Sequence, residues 1–192
     1  KINQNHGRNS TIKLGSPKKS SYITIVKIEV MKKIVYLHGL ESKRNCPKVK
    51  YLKELGHSVL NPPMDFKDKD CFERTLDLVK MFEPNLIIGS SMGGYFAYEI
   101  GKHIDVPVVL LNPALHSRNF EPNIDILGDE DPLVYLIVGE NDKVINYKKT
   151  LNYLDENATC FFRNKYFKGN HGHRTSVNIL KDGASKIKIP YL

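Results

Sequence analysis

The stretch Leu86-Ile87-Ile88-Gly89-Ser90-Ser91-Met92-Gly93-Gly94 decides the fold. Its first three residues form a short apolar run, typical of a strand buried on both faces. A glycine-rich turn and a predicted helix over residues 92–103 follow. The turn matches the pattern G-x-S-x-G in a strand–turn–helix context, which makes Ser91 a candidate nucleophile. Gly89 and Gly93 let neighbouring backbone approach this tight turn closely.

Strands and helices alternate on both sides of this stretch, from residue 33 onward. Strands are predicted over 34–37, 58–60, 86–88, 106–111, 133–138 and 159–166, and helices over 47–55, 70–82, 92–103, 146–154 and 174–185. Strands separated by helices imply βαβ units, so we expect an α/β fold with a mostly parallel central sheet and helices on both faces. The first strand is not followed by the G-x-G-x-x-G pattern of a Rossmann dinucleotide-binding fold, and the sequence contains no P-loop pattern, so neither of these nucleotide-binding folds is predicted.

The length and composition indicate one globular domain. The chain has 192 residues, of which 41% are hydrophobic and 26% charged, so global disorder is excluded. The net charge of +8 raises the question of a nucleic-acid partner. Much of that charge falls in residues 1–30, of which the first twenty are poor in apolar side chains. We predict that residues 1–30 are an extension outside the functional domain, with residues 22–30 as a candidate extra strand, and that residues 31–192 form the domain. The charges in the extension are sparse, so no nucleic-acid partner is predicted.

Targeting and cysteine signals favour a cytoplasmic protein. No apolar run approaches the roughly 20 residues that a membrane span requires, and the N-terminal segment lacks the pattern of a secretory signal. Cys46, Cys71 and Cys160 are widely spaced, which favours reduced thiols. The sequence does not indicate an oligomeric state.

A serine nucleophile needs a base and an orienting carboxylate. Asp142 follows the strand over 133–138 and is the candidate acid, with Glu140 as the fallback; Asp142 could also simply cap the next helix. His171, bracketed by glycines in Gly169-Asn170-His171-Gly172-His173, is the candidate base, and His173 is the fallback. An H-x-H metal site is the alternative, but no third ligand has matching spacing, so neither metal nor cofactor is predicted.

The loop after the first core strand supplies the remaining element. In a serine hydrolase, a backbone N–H from this loop and the N–H that follows the nucleophile stabilise the oxyanion. That assigns the amides of Leu40 and Met92. Gly39 would let the backbone turn towards the site, and His38 would be structural.

Four segments together resemble the α/β-hydrolases, and more closely the YqiA-like family of small bacterial esterases. They are Tyr36-Leu37-His38-Gly39-Leu40, Gly89-Ser90-Ser91-Met92-Gly93-Gly94-Tyr95, Asn112-Pro113-Ala114 and Gly169-Asn170-His171. The resemblance covers about residues 31–173. It implies hydrolysis of carboxylic esters, or of thioesters such as acyl-CoA, through a Ser-His-Asp triad and an acyl-enzyme, with a small-molecule substrate and no cofactor.

The sequence departs from this family in two places. The stretch between Ala114 and Leu133 is short, which predicts a minimal lid or none, an open site, and difficulty with long acyl chains. The segment Gly172-His173-Arg174 lacks the apolar residues expected after the base. A non-catalytic hydrolase-fold protein that binds partners or small ligands is the alternative function, because fold-level analogy gives only a reaction class.

Overall fold

The computed structural model describes residues 31–118, 121, 132–157 and 165–192, which form alternating strands and helices. In chain order these are β1 (Lys33–Leu37), α1 (Pro47–Glu54), β2 (Ser58–Leu60), α2 (Cys71–Phe82), β3 (Leu86–Ser90), α3 (Met92–Ile104), β4 (Val108–Leu111), β5 (Val134–Gly139), α4 (Tyr147–Asn157), β6 (Lys165–Gly169) and α5 (Val177–Ile187).

The six strands form one sheet in the order β2-β1-β3-β4-β5-β6. Every neighbouring pair is parallel, which confirms the predicted α/β architecture. Parallel strands share a carboxyl edge, so the loops that follow β1, β3, β4, β5 and β6 all lie at the same end of the molecule. Catalytic and binding groups gather at this edge in such sheets.

The central strands are apolar because both of their faces are covered. All four residues of β4 and all six of β5 are buried. One core cluster contains Val35, Ile87 and Leu110, and the other contains Ile34, Ile88 and Val109. Side chains of successive strand residues therefore alternate between two helical layers.

The structure moves one predicted strand. The prediction for residues 159–166 lies largely outside the described residues, and the observed strand β6 runs from Lys165 to Gly169. It is an edge strand in which only Gly169 is buried, so it lacks the continuous apolar run of a central strand.

Three other predictions concern residues outside those described. They are the extension over residues 1–30 with its extra strand, the short lid segment that includes residues 122–131, and the state of Cys160. Cys46 and Cys71 are free thiols in the described part of the chain. None of the helices in the described ranges is long and apolar enough to cross a membrane.

Candidate active site

Ser91 lies at the carboxyl edge of the sheet, in the turn between β3 and α3. Its backbone has φ 54° and ψ −119°, a conformation that non-glycine residues rarely adopt. Four hydrogen bonds hold it there. The Ser91 amide donates to the Leu111 carbonyl (3.0 Å), and the Ser91 carbonyl accepts from the amides of Gly94, Tyr95 and Ala114. The strained turn projects the hydroxyl beyond the end of the strand.

The glycines around Ser91 are required by close packing. A Cβ on Gly89 would lie 2.2 Å from the Gly93 carbonyl oxygen, and one on Gly93 would lie 2.3 Å from the Leu37 carbonyl oxygen. A Cβ on Gly39 would lie 3.0 Å from the Cβ of Ser91. The first two contacts let α3 approach β3 and β1, and the third brings the loop after β1 against the serine.

His173 connects Ser91 to Asp142. Its Nε2 lies 3.1 Å from the Ser91 Oγ, and its Nδ1 lies 2.8 Å from the Asp142 Oδ2. With the proton on Nδ1, the imidazole donates to the carboxylate and accepts from the serine hydroxyl. This arrangement can take a proton from Ser91 and stabilise the resulting imidazolium.

Asp142 is held rigidly by the turn that leads into α4. Its Oδ1 accepts from the amides of Val144 (2.7 Å) and Ile145 (2.9 Å), which leaves Oδ2 for His173. The Asp142 side chain is 0% exposed. Asp142 thus makes the predicted loop contacts and also orients His173.

The structure corrects the choice between the two histidines. His171, the first candidate base, does not contact Ser91; its Nδ1 lies 2.8 Å from the Gly172 carbonyl oxygen, and its Nε2 is buried with no hydrogen-bond partner in the described ranges. The ring packs against Gly139 and Gly169, where added Cβ atoms would lie 2.7 Å from ring atoms. These glycines therefore accommodate the His171 ring.

The sheet order explains why the later histidine reaches Ser91. The loop after β6 must return to the end of β3 across three strand spacings, roughly 14 Å in total. Each further residue adds at most about 3.3–3.6 Å of reach. His171 comes only two residues after β6 ends, and His173 lies two residues farther along.

Two other residues named in the sequence analysis have structural surroundings of their own: Glu140 forms an ion pair, and His38, in the loop after β1, packs against Phe66. Glu140, the fallback acid, is exposed and forms an ion pair with Lys168 at 2.9 Å. His38 is buried, its Nδ1 lies 2.9 Å from the Gly39 carbonyl oxygen, and its ring stacks edge-on against Phe66. His38 is therefore structural, as predicted.

The two predicted oxyanion donors lie on either side of Ser91. Gly39 approaches the serine, so its neighbour Leu40 is in the adjoining loop, and Met92 is the first residue of α3. Within the described ranges, neither amide donates to a backbone carbonyl in a loop or helix cap. Both remain candidates for a negatively charged oxygen, beside the positive end of the α3 dipole.

An open cleft of about 640 Å³ lies beside the Asp142 loop. It is lined by His116, Ser117, Asp142, Lys143, Val144, Asn146 and Lys149. Burial lowers the pKa of His116, and Lys149 and Arg118 lower it further. Ser91 and His173 do not line this cleft, so it is a neighbour of the reacting atoms and does not contain them.

The Arg118 side chain is held in place by a ring contact and by hydrogen bonds. Its guanidinium carbon lies 4.0 Å from the centre of the Tyr95 ring, and the guanidinium also bonds to the carbonyls of Ala114 and Leu115 and to Glu121. In the described part of the chain, no cluster of three or more His, Cys, Asp or Glu side chains could hold a metal ion.

Asn112 is a residue of the site that sequence reasoning left without a role. It belongs to the Asn112-Pro113-Ala114 segment, and its side chain bonds to β5 and to the loop that carries His173. The available signal was a polar residue placed directly after a fully apolar strand, at the edge where the candidate side chains meet.

Solved structures show that this architecture is the α/β-hydrolase fold. A candidate hydrolase of the alpha/beta superfamily from Xanthomonas campestris pv. campestris superposes with a TM-score of 0.61 at 17% identity, covering 82% of this chain and 96% of the other. An esterase from Pyrococcus furiosus gives a TM-score of 0.60 at 14% identity, with 81% and 79% covered. Est1E from Butyrivibrio proteoclasticus gives a TM-score of 0.59 at 13% identity, covering 84% of this chain and 88% of the other.

Family membership rests on a separate comparison of the sequence itself. No curated protein matches the chain. A family model matches residues 33–131, just over half of the chain, and includes β1, the Ser91 turn and the Asn112 segment. This match confirms the resemblance to the YqiA-like family. The chain belongs to the uncharacterised protein family UPF0227.

Proposed function

We propose that this protein is a serine hydrolase that cleaves carboxylic esters. The observation that carries the proposal is the continuous hydrogen-bonded chain from Ser91 through His173 to Asp142, which starts at a serine held in a strained turn. Strain persists where the surrounding structure enforces it, and it concentrates at active sites. The esterases of the same fold support the same reaction class.

The geometry supports a two-step reaction. Ser91 Oγ attacks the ester carbonyl carbon while His173 Nε2 takes the hydroxyl proton, and Asp142 stabilises the imidazolium through Nδ1–H. The carbonyl π electrons move onto oxygen, where the amides of Leu40 and Met92 donate to the oxyanion. The intermediate collapses, the alcohol leaves with the proton from His173, and an acyl-enzyme remains.

The second step mirrors the first. Water attacks the acyl-enzyme and gives a proton to His173 Nε2, and collapse of the new intermediate releases the carboxylic acid. The proton on His173 returns to Ser91 Oγ, so the enzyme is regenerated. A thioester such as acyl-CoA would follow the same steps with a thiol as the leaving group. The predicted open site favours short acyl chains.

Labelling with a fluorophosphonate probe tests the nucleophile directly. The intact chain should be labelled, and Ser91→Ala should not be. Labelling that survives Ser91→Ala, or no labelling and no turnover across a chain-length series of esters and thioesters, would contradict the proposal. The second result would favour the non-catalytic binding protein instead.

Two matched pairs of variants test the other assignments. His173→Ala should lower kcat by roughly 10³-fold or more, because the serine loses its base. His171→Ala should keep most of the activity, because no contact joins it to Ser91. Asp142→Asn should likewise be much slower than Glu140→Gln, whose carboxylate pairs with Lys168. A larger loss in His171→Ala than in His173→Ala would overturn the assignment.

A further inference from the structure

Asn112 follows β4 at the centre of the carboxyl edge. The residue before it, Leu111, pairs with Ser90 in the sheet, so Asn112 is next to the nucleophile turn. Asn112 is 1% exposed and has φ 43°. Asparagine tolerates this left-handed conformation better than most side chains. A buried polar side chain in this position must satisfy all of its hydrogen-bonding groups internally.

The Asn112 side chain joins three segments. Its Oδ1 accepts from the Gly139 amide at 2.8 Å, at the end of β5. Its Nδ2 donates to the carbonyls of Gly172 (3.1 Å) and His173 (2.8 Å). The side-chain amide therefore uses its oxygen as an acceptor and its nitrogen as the donor of two hydrogen bonds. A hydroxyl has only one donor and a carboxylate has none, so neither could make all three of these bonds.

The loop that carries His173 depends on such bonds, because much of it faces solvent. Asn170 and Arg174 are exposed, and His173 itself is only partly buried. Besides Asn112, the Asn141 amide holds this loop by donating to the His171 carbonyl at 3.1 Å, and Lys48 Nζ holds it by donating to the Thr175 carbonyl at 2.6 Å. Lys48 acts two residues beyond the histidine, whereas Asn112 binds the His173 carbonyl itself.

We propose that Asn112 is a positioning residue that fixes the backbone of His173, so that Nε2 meets the Ser91 Oγ. The inference rests on the proposed function and deepens it. The same amide binds Gly139, three residues before Asp142, so it sets the acid loop and the base loop against one strand end. A displacement of about 1 Å in a reacting group can cost on the order of 100-fold in rate.

The test compares three variants. Asn112→Gly keeps the positive φ and removes all three side-chain bonds. Asn112→Asp keeps an acceptor for the Gly139 amide and replaces the two donors with an oxygen that faces the Gly172 and His173 carbonyls. Thr75→Val is the control: Thr75 is a buried residue in α2, a helix that contributes no residue to the proposed site, and the change removes its 2.7 Å hydrogen bond to the Cys71 carbonyl.

Two readouts separate positioning from general stability. In both Asn112 variants, kcat for a short-chain ester should fall about 10- to 100-fold while KM changes less than about threefold. The downfield proton resonance of the His173–Asp142 hydrogen bond should broaden or disappear. Thr75→Val should retain both kcat and the resonance. Unfolding measured in urea gives the folded fraction by which each kcat is corrected.

Several results would overturn the inference. They are a kcat within threefold of the unmodified chain, a loss no larger than that of Thr75→Val, and an unchanged resonance in both Asn112 variants. Failure of both variants to fold would assign Asn112 to stability alone and also overturn it. Because the resonance does not depend on turnover, it reports on Asn112 even if the intact chain hydrolyses no ester, a result that would count against the proposed function only.

Discussion

Ser91 and Asn112 are neighbours at the sheet edge, and both have a backbone φ in the left-handed half of conformational space. For asparagine this conformation is a modest cost, whereas for serine it stores strain of about 1–3 kcal/mol. Hydrogen bonds from β4 and the Asn112-Pro113-Ala114 segment hold the Ser91 turn in place. The proposed nucleophile is therefore also a residue whose backbone conformation lowers the stability of the fold.

Replacing Ser91 should separate stability from activity. Ser91→Gly should raise the free energy of unfolding by about 1 kcal/mol relative to Ser91→Ala, because glycine adopts positive φ without a steric penalty. Both variants should be inactive. Urea denaturation measures the difference, and equal stability of the two variants would show that the turn is not strained.

At this scale the sequence predicted two of the three connected residues. Ser91 and Asp142 follow directly from a motif and from the end of a strand, and the structure places both in the hydrogen-bonded chain. The structure places His173, and not the predicted His171, beside Ser91, because the glycines next to His171 make room for its ring. Distance across the sheet decides between the histidines, and strand order is not visible in the sequence.

The elements most easily predicted are those whose packing is densest. Buried on both faces, β3, β4 and β5 show uninterrupted apolar runs, and their predicted positions agree with the structure to within two residues. Strand β6 lies at the sheet edge with exposed Lys165, Tyr166 and Lys168, so its sequence carries little of that signal. The shift of this one strand also moved the expected position of the base.

Contact between α3 and the sheet depends on Gly93. In Gly93→Ala the new methyl group would clash with the Leu37 and His38 carbonyls, so α3 must move away from β1. We expect a loss of about 3 kcal/mol in the free energy of unfolding. Gly172→Ala is the matched control, because its nearest neighbour would be 3.7 Å away, and it should cost less than about 1 kcal/mol. Similar midpoints in urea for both variants would contradict this account.

For the whole molecule, the α/β class was predictable and the order of strands was not. Alternating strands and helices imply parallel pairing. The chain passes from β2 at one edge of the sheet to β3 on the other side of β1, and tertiary packing determines this order. That choice places the loop after β1 beside Ser91 and leaves β2 and β6 at the edges. The site is consequently assembled from the ends of β1, β3, β4, β5 and β6.

Alkaline pH should weaken the fold through Tyr95. Burial raises the pKa of Tyr95 to about 12 from its usual value of 10.0, and nearby Glu99 adds to the shift. Above pH 10 the unfolded chain releases this proton while the folded chain keeps it. The contribution of Tyr95 to the free energy of unfolding is therefore complete below pH 10 and is lost as pH rises towards about 12. Tyr95→Phe should flatten this loss in urea titrations at increasing pH. An unchanged slope in Tyr95→Phe would rule out the effect.

The all-parallel sheet also has a kinetic consequence. In the described strands, no partner is joined by a hairpin, so each pairing must wait for a long intervening segment to be brought back. Helices can form early, but the proposed nucleophile, base and acid meet only after β6 has docked and the loop that follows it has crossed the sheet edge. Ester hydrolysis would then return at the final step of refolding, and a chromogenic ester could serve as a sensor for completed assembly.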